Sequence, residues 1–215
     1  MQPENLLPGF HSLHFDYPIH KILLSSKEKV LILILRDALK KETYLYKVAL
    51  NTFTKERINL DIGWFEELVS MSGDYVYSIV YENQNDPSKY HFARHDLSNQ
   101  RVEKVSDIPE LSFLGEEPFL YEYGTEFYRI IKKFLGLDLP LACEYYEKGE
   151  NIIISYYLRL GEAFNRFLLF LKDGEKVWKI EQDKKMKGFS SGAFFVFYGQ
   201  VIFVRDQNEI CFYNL

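Results

Sequence analysis

The feature that most constrains the fold is a strand–turn–strand unit that recurs along the chain. Its clearest copy contains three apolar runs, Ile152–Tyr157, Phe167–Leu171 and Val177–Ile180. The pair Asp173-Gly174 separates the second run from the third. Asp-Gly is typical of a two-residue hairpin turn, because glycine accepts positive φ without steric cost. Short strands joined by tight turns predict an antiparallel meander.

Four such repeats can be laid over one another, and each has a polar turn just before its most apolar strand. The repeats are 21–60, 66–105, 141–180 and 192–215. Their turn positions are Glu28, Gly73, Gly149 and Gly199, and the strands that follow are Val30–Leu35, Tyr75–Tyr81, Ile152–Tyr157 and Val201–Val204. A later strand of each repeat ends in leucine, at Leu50, Leu97, Leu171 and Leu215.

The spacing of these repeats indicates a fold class. The four leucines lie 47, 74 and 44 residues apart, so two intervals are in the mid-forties and the middle one is longer. A period in the mid-forties with about four strands per repeat is typical of propeller blades. We therefore predict a mainly β protein, a propeller-like array of about four to five antiparallel meander blades in a single all-β domain over residues 1–215. A β-sandwich or barrel is the alternative, because such folds also space short strands regularly.

The N-terminal segment is predicted to complete the last blade. The fourth repeat stops at Leu215 after three strands, and its fourth strand is missing. Residues 10–16 have no partner of their own, and Leu13 and Phe15 alternate with polar residues as in a half-buried strand. Closure by this segment would remove two exposed sheet edges.

The longer middle interval contains an insertion, Ser106–Pro140, that includes one predicted helix over residues 126–135. Phe127, Ile130, Ile131 and Phe134 follow the spacing of one helical face, and Gly136 is a suitable C-terminal cap. The preceding sequence LSFLGEEPFLYEY reads either as a degenerate fifth blade or as an irregular connection. This ambiguity is why the predicted number of blades is four to five.

Composition and charge exclude several classes of function. The net charge is −5, and no basic stripe of the kind that binds nucleic acid is present. No segment approaches the ~18 apolar residues of a membrane span. The N-terminus lacks the basic and apolar regions of a signal peptide, so we expect a cytoplasmic protein without nucleic-acid or membrane partners. Cys143 and Cys211 lie in apolar runs and are interpreted as small buried side chains, with pairing between them left open.

The candidate site residues are few, and none predicts a specific reaction. His91 and His95 are four apart, but in an extended strand that spacing places them ~13 Å apart, too far for one metal ion. Trp64 and Tyr81 belong to a surplus of aromatic residues that would suit a binding surface, although most such rings, including the Tyr145-Tyr146 and Tyr156-Tyr157 pairs, are expected in the core. Glu122 belongs to an acidic cluster that includes Glu116, Glu117 and Glu126. We predict no metal and no cofactor, and the catalytic residues are unknown: nucleophile elbow, P-loop and dinucleotide motifs are absent from the sequence.

Three sequence segments resemble a family of bacterial proteins that carries only a domain-of-unknown-function label. They are Gly63-Trp64, the segment PFLYEYGTEFYRIIKKFL and the segment ACEYYEKGENIIISYY. The resemblance implies a β-propeller-like fold and transfers no catalytic role. More loosely, the run GEKVWKI is similar to a strand of quinoprotein-type propeller repeats, without implying a cofactor.

Three functional hypotheses follow from the sequence. The first is a non-enzymatic binding or interaction module for a protein or small-molecule partner, suggested by a repeated β scaffold with many aromatic residues. The second is a hydrolase that acts on carbohydrate through carboxylates lining a central channel, which rests on analogy between folds. The third is a structural subunit whose ring a partner completes.

Overall fold

The protein is mainly β, with one helix among the residues that its computed structural model describes, which are 8–25, 28–83, 86–109 and 114–215. Within these ranges the strands form four antiparallel sheets. The chain divides into two compact units, one formed by Ser12–Gly115 and the other by Met1–His11 with Glu116–Leu215. The expectation of a single domain over 1–215 stays a prediction.

The 12–115 unit contains two sheets whose strands follow chain order. The first sheet has β2 (Ile19–Leu24), β3 (Val30–Asp37), β4 (Glu42–Ala49) and β5 (Thr54–Ile58). The second has β6 (Glu66–Ser72), β7 (Tyr75–Tyr81), β8 (Tyr90–Asp96) and β9 (Arg101–Val105). These sheets correspond to the first two predicted repeats, and the predicted strands Val30–Leu35 and Tyr75–Tyr81 are confirmed.

The core of this unit explains why its central strands are so apolar. Six consecutive residues of β3, from Val30 to Leu35, are buried, so both faces of the strand are covered. A fully covered strand reads as a continuous apolar run because no face is left to water. One cluster joins side chains from both sheets: Leu23, Val30, Ile32, Ile34, Leu45, Ile62, Leu68, Met71 and Val76. Burial of each large side chain contributes about 1.5–3 kcal/mol.

The C-terminal unit holds the other two sheets. One has the order β10 (Phe119–Tyr121), β11 (Cys143–Lys148), β12 (Asn151–Leu160), β13 (Ala163–Lys172) and β14 (Glu175–Met186). The other has the order β1 (Phe10–His14), β17 (Glu209–Asn214), β16 (Gln200–Arg205) and β15 (Phe194–Phe197). The first strand of the chain thus lies beside the last one, and the backbone N–H of Asn214 donates to the carbonyl of Gly9 at 3.3 Å.

The predicted hairpin turn between β13 and β14 is confirmed. Asp173 and Gly174 have φ values of 52° and 78°, so both central residues lie in the left-handed region that a two-residue hairpin needs. The flanking residues Lys172 and Glu175 pair across the two strands. The turn sets the pairing of Leu171 with Lys176, and a register shift between Leu171 and Phe170 then brings Phe170 opposite Trp178 in the core.

The insertion contributes the helix and an edge strand. The helix α1 spans Glu126–Leu135, as predicted, and ends at Gly136, whose φ is 64°. In the part of the insertion that the structure describes, β10 pairs with β11 as the edge of an existing sheet, so the described residues form no separate fifth sheet. Residues 110–113 of the segment read as a degenerate blade lie outside the described residues.

The buried face of α1 differs from the predicted one. Tyr128 and Ile131 are buried, whereas Ile130 and Phe134 are 55% and 59% exposed, so the expectation that Ile130 and Phe134 face the core is wrong. The reason is local: the hydroxyl of Tyr128 donates to the carbonyl of Leu139, which turns the face of Tyr128 and Ile131 towards the sheet. That face packs on a cluster that includes Leu139, Cys143, Ile154 and Tyr156.

Candidate functional site

The two aromatic residues singled out from the sequence, Trp64 and Tyr81, line the same cleft in the 12–115 unit. The cleft encloses about 500 Å³, a size that suits a small ligand. Its walls come from both sheets of the unit and from the segments that enter β6 and leave β7. The lining residues are His20, Arg36, Trp64, Phe65, Glu66, Glu67, Tyr81, Asn83 and Pro87.

The geometry of β2 and β3 explains why the Arg36 side chain lines this cleft. Arg36 is the next-to-last residue of β3, where the apolar run ends. Its backbone N–H donates to the carbonyl of Pro18 at 3.2 Å, which ties the end of β3 to the start of β2. A register shift between Ile19 and Lys21 leaves His20 as an extra residue of β2. Such a bulge re-aims side chains, and His20 and Arg36 both line the cleft.

The Arg36 guanidinium is held by stacking and by one backbone contact. Its central carbon lies 5.2 Å from the centroid of the Trp64 ring, a cation–π distance. Its Nη2 donates to the backbone carbonyl of Glu66 at 3.1 Å. Its Nε is buried and has no hydrogen-bond partner among the described residues, and no carboxylate of those residues forms an ion pair with Arg36. The cleft therefore presents a positioned cation that has no carboxylate partner among the described residues.

The other charges at the cleft are engaged with one another. Lys21 Nζ lies 3.6 Å from Glu67 Oε1, so this neighbouring lysine and the lining carboxylate offset each other. Partial burial, and then the charges of Arg36 and Lys21, lower the pKa of His20, while Glu67 opposes them. A lowered pKa keeps His20 neutral at pH 7, because its ordinary value is already ~6.5. Arg36 is thus the cation that the cleft offers to a ligand.

A buried polar network lies directly behind the cleft. Glu66 Oε1 accepts from the Ser78 hydroxyl at 2.5 Å and from His95 Nε2 at 2.5 Å. Glu66 Oε2 accepts from the backbone N–H of Gly63 at 3.1 Å. Ser78 and His95 are 0% and 1% exposed. The network joins β6, β7 and β8, and the Gly63 contact fixes the backbone immediately before Trp64.

This network is not arranged as a hydrolytic triad. In such a triad the histidine stands between the serine and the carboxylate and accepts the serine proton. Here Glu66 contacts both partners, and His95 Nε2, which lies 3.0 Å from the Ser78 hydroxyl, also points at the carboxylate. Burial raises the pKa of Glu66, but hydrogen bonds from His95, Ser78 and Gly63 outweigh burial and lower it. A carboxyl group held ionised in this way is a poor general acid.

The two strand histidines have separate environments. Both lie on β8, as predicted. His95 belongs to the buried network, whereas His91 Nδ1 lies 3.7 Å from Glu82 Oε1 near the surface. No group of three or more histidine, cysteine or acidic residues within the described ranges is arranged to hold a metal ion.

The remaining candidates lie in the C-terminal unit. Glu122 is exposed, and its carbonyl accepts from the N–H and the hydroxyl of Thr125 in the turn before α1, where its role is local. Tyr146, Tyr156 and Tyr157 are buried, which confirms the core interpretation for most of the paired tyrosines. Cys143 and Cys211 are both buried, and burial raises the pKa of Cys143 to about 11. Cys143 is therefore not a reactive thiolate at neutral pH.

Sequence reasoning missed Arg36, His20, Glu66 and Ser78. Arg36 and His20 stand at strand ends, where a polar residue is ordinary, and only the packing of two sheets brings them to Trp64. Ser78 carried a weak signal, since it interrupts the apolar run of β7 with a hydroxyl. A polar residue at a buried position needs a partner, although the sequence does not say which.

Comparison with known proteins identifies no family for this chain. No protein-family model and no curated protein matches the chain. TolB from Acinetobacter baumannii has a TM-score of 0.33 at 11% identity, over 92% of this chain and 55% of TolB. Acylaminoacyl peptidase from Pyrococcus horikoshii has a TM-score of 0.28 at 9% identity, over 89% of this chain and 36% of the peptidase. The chain thus spans about half the length of TolB and about a third of the peptidase.

These structural similarities are too low to indicate an activity for this chain. The resemblance to an uncharacterised bacterial family stays a prediction. A search for membrane-spanning helices in the described part of the chain found none that is long and apolar enough.

Proposed function

We propose that this chain is a non-enzymatic binding module on a propeller-like scaffold, and that the cleft between β2–β5 and β6–β9 is its ligand site. The observation that carries the proposal is Arg36, a cation stacked on Trp64 at the cleft wall without a carboxylate partner among the described residues. Positioned polar groups within aromatic walls are typical of ligand sites. The partner is a protein group or a small molecule, in a cytoplasmic setting, rather than nucleic acid or membrane.

The sheet topology supports the propeller-like part of the proposal. Each of the four sheets is an antiparallel meander whose neighbouring strands follow chain order, except where β1 joins β17. A first strand that shares a sheet with the last three is the arrangement expected where a ring of blades is closed by both chain ends. A ring of four blades with α1 as an insertion is the architecture that we propose.

The contacts in the cleft favour binding over hydrolysis. Glycoside hydrolysis needs two carboxyl groups across the bond, one of them an acid with a raised pKa. Glu66 has a lowered pKa and points into the buried network, and Glu67 is paired with Lys21. Among the described residues, no contact in the cleft favours the hydrolase alternative. That alternative predicts turnover of nitrophenyl glycosides that Glu67→Gln abolishes.

The binding proposal is tested by mapping where small aromatic fragments bind. We expect fragments titrated into ¹⁵N-labelled protein to shift the amide resonances of residues 63–67 and 81–83. Trp64→Ala should weaken this binding about tenfold, since it removes the stacking wall. Phe119→Ala is the matched control, because Phe119 is 70% exposed on β10 and does not line the cleft. Fragments that shift other resonances, or bind Trp64→Ala as well as wild type, would contradict the proposal.

A further inference from the structure

We propose that the ligand of this cleft carries a single carboxylate next to an aromatic or other planar apolar body, and that Arg36 is the residue that recognises the carboxylate. The inference rests on the proposed function, since it specifies the chemistry of the same site. It concerns a ligand class, which either a free carboxylic acid or the C-terminus of a peptide would satisfy.

The hydrogen-bonding capacity of Arg36 is the first argument. A guanidinium has five N–H donors in a planar fork that matches a carboxylate. Among the contacts of the described residues, one Arg36 nitrogen, Nη2, donates to the carbonyl of Glu66. The contacts to Trp64 and Glu66 hold the group in place before a ligand arrives. A fixed, incompletely paired guanidinium is preorganised for an anion, which lowers the entropic cost of binding.

The charge balance of the cleft is the second argument, and it limits the ligand to one negative charge. Lys21 is occupied by Glu67 at 3.6 Å, and Glu66 is occupied by His95. His20 is neutral at pH 7 because its pKa is lowered. A phosphate or another multiply charged anion would meet a single available cation together with the nearby Glu67 carboxylate. A monoanionic carboxylate matches the single charge of Arg36.

The walls of the cleft supply the third argument. Trp64 is half-buried under Arg36, Phe65 is 39% exposed, and Tyr81 is half-buried at the end of β7. Large apolar rings left partly open beside a cation offer stacking area to a planar group. The ~500 Å³ of the cleft accommodates a ring together with its acid group.

The decisive experiment compares two probes of equal shape, phenylacetate and phenylacetamide, by NMR titration of the wild-type protein. We expect phenylacetate to bind the cleft about tenfold more tightly, because only the acid makes a charge-assisted contact with Arg36. Raising the salt concentration to about 0.5 M should weaken the binding of the acid and leave the binding of the amide unchanged. Equal affinities for acid and amide in the cleft would overturn this inference and leave the proposed function standing. A failure of all aromatic probes to reach the cleft would overturn both.

Variants assign the preference to one side chain. Arg36→Gln should abolish the preference for the acid, so that the acid and the amide bind the variant with about equal affinity. Arg101→Gln is the control, because it makes the same change at an exposed position of β9 outside the cleft. A preference for the acid that persists in folded Arg36→Gln would overturn the inference. If Arg36→Gln does not fold, the salt dependence in wild type decides alone.

A second pair of probes distinguishes the two sources of the carboxylate. A short acetylated peptide that ends in phenylalanine is compared as the free acid and as the C-terminal amide. Tighter binding of the peptide acid than of phenylacetate supports a peptide C-terminus as the ligand. Tighter binding of phenylacetate supports a free acid. In either case the peptide acid should bind more tightly than the peptide amide, and equal binding of the two in the cleft would contradict recognition of a carboxylate.

Discussion

At the scale of single residues, the arrangement around Glu66 links stability to the site. One carboxylate joins three strands through Ser78 and His95, and its other oxygen holds the N–H of Gly63. The same residue offers its backbone carbonyl to Arg36. Hydrogen bonds among buried polar groups rigidify their surroundings, although the Nδ1 of His95 has no hydrogen-bond partner among the described residues. We interpret the network as the support that fixes the segment carrying Trp64.

The first residue-scale prediction concerns the two histidines of β8. His95→Leu should destabilise the protein by about 3–5 kcal/mol, because it leaves the Glu66 carboxylate buried without its main partner. His91→Leu is the matched control and should cost less than about 1 kcal/mol, since its partner Glu82 is exposed. Urea denaturation of both variants measures the difference. Similar losses for the two would show that Glu66 does not depend on His95.

The second residue-scale prediction concerns pH. Because the pKa of Glu66 is lowered in the folded state, its contribution to stability is complete above the unfolded value of ~4.3 and is lost as the pH falls through the lower folded value. Unfolding free energies measured between about pH 5 and pH 2 should therefore fall less steeply in Glu66→Gln than in wild type. Parallel curves for the two proteins would contradict this assignment.

At the scale of elements, the helix shows what a sequence pattern can and cannot determine. The limits of α1 are predictable because periodicity, an acidic first residue and Gly136 all agree. By their spacing, Phe127, Ile130, Ile131 and Phe134 lie on one face of the helix. The face that packs in the core is rotated from that one and contains Tyr128 and Ile131. The true orientation depends on Tyr128 reaching the carbonyl of Leu139, a contact made across the loop that follows.

The orientation of α1 gives a prediction with a built-in control. Ile131→Ala should cost about 2–5 kcal/mol, because Ile131 is 3% exposed and packs in a cluster. Ile130→Ala makes the same change one residue earlier, at a side chain that is 55% exposed, and should cost less than about 1 kcal/mol. Thermal or chemical denaturation decides, and the reverse order of losses would mean that the helix packs on its other face.

The strands were more predictable than the site, for a physical reason. Apolar runs and glycine turns are local signals, so β3, β7, β12 and β16 follow from the sequence. The cleft depends on non-local pairing, since Ser78 faces Leu68 and His95 faces Val76 only once the register is set. A register shift between Leu68 and Ser70 then alters which side chains of β6 meet β7. Trp64 and Tyr81 were found because aromatic residues stand out, whereas Arg36 and His20 do not.

At the scale of the whole molecule, we interpret the antiparallel sheets as the scaffold that holds the proposed ligand cleft in place. Each sheet is built mainly from antiparallel strands that are neighbours in the chain, and many aromatic residues are buried in the cores of these sheets. The cleft differs from the repeat through single polar substitutions at strand ends, notably Arg36. We therefore expect the function to depend on positions that depart from the predicted repeat.

The most direct test of this account is a crystal structure of the protein with phenylacetate bound. The account predicts the carboxylate within about 2.7–3.0 Å of the Arg36 nitrogens, with the ring stacked on Trp64 or Tyr81 at a centroid distance of about 4.5–7 Å. A ligand bound elsewhere, or one in the cleft whose carboxylate points away from Arg36, would contradict it.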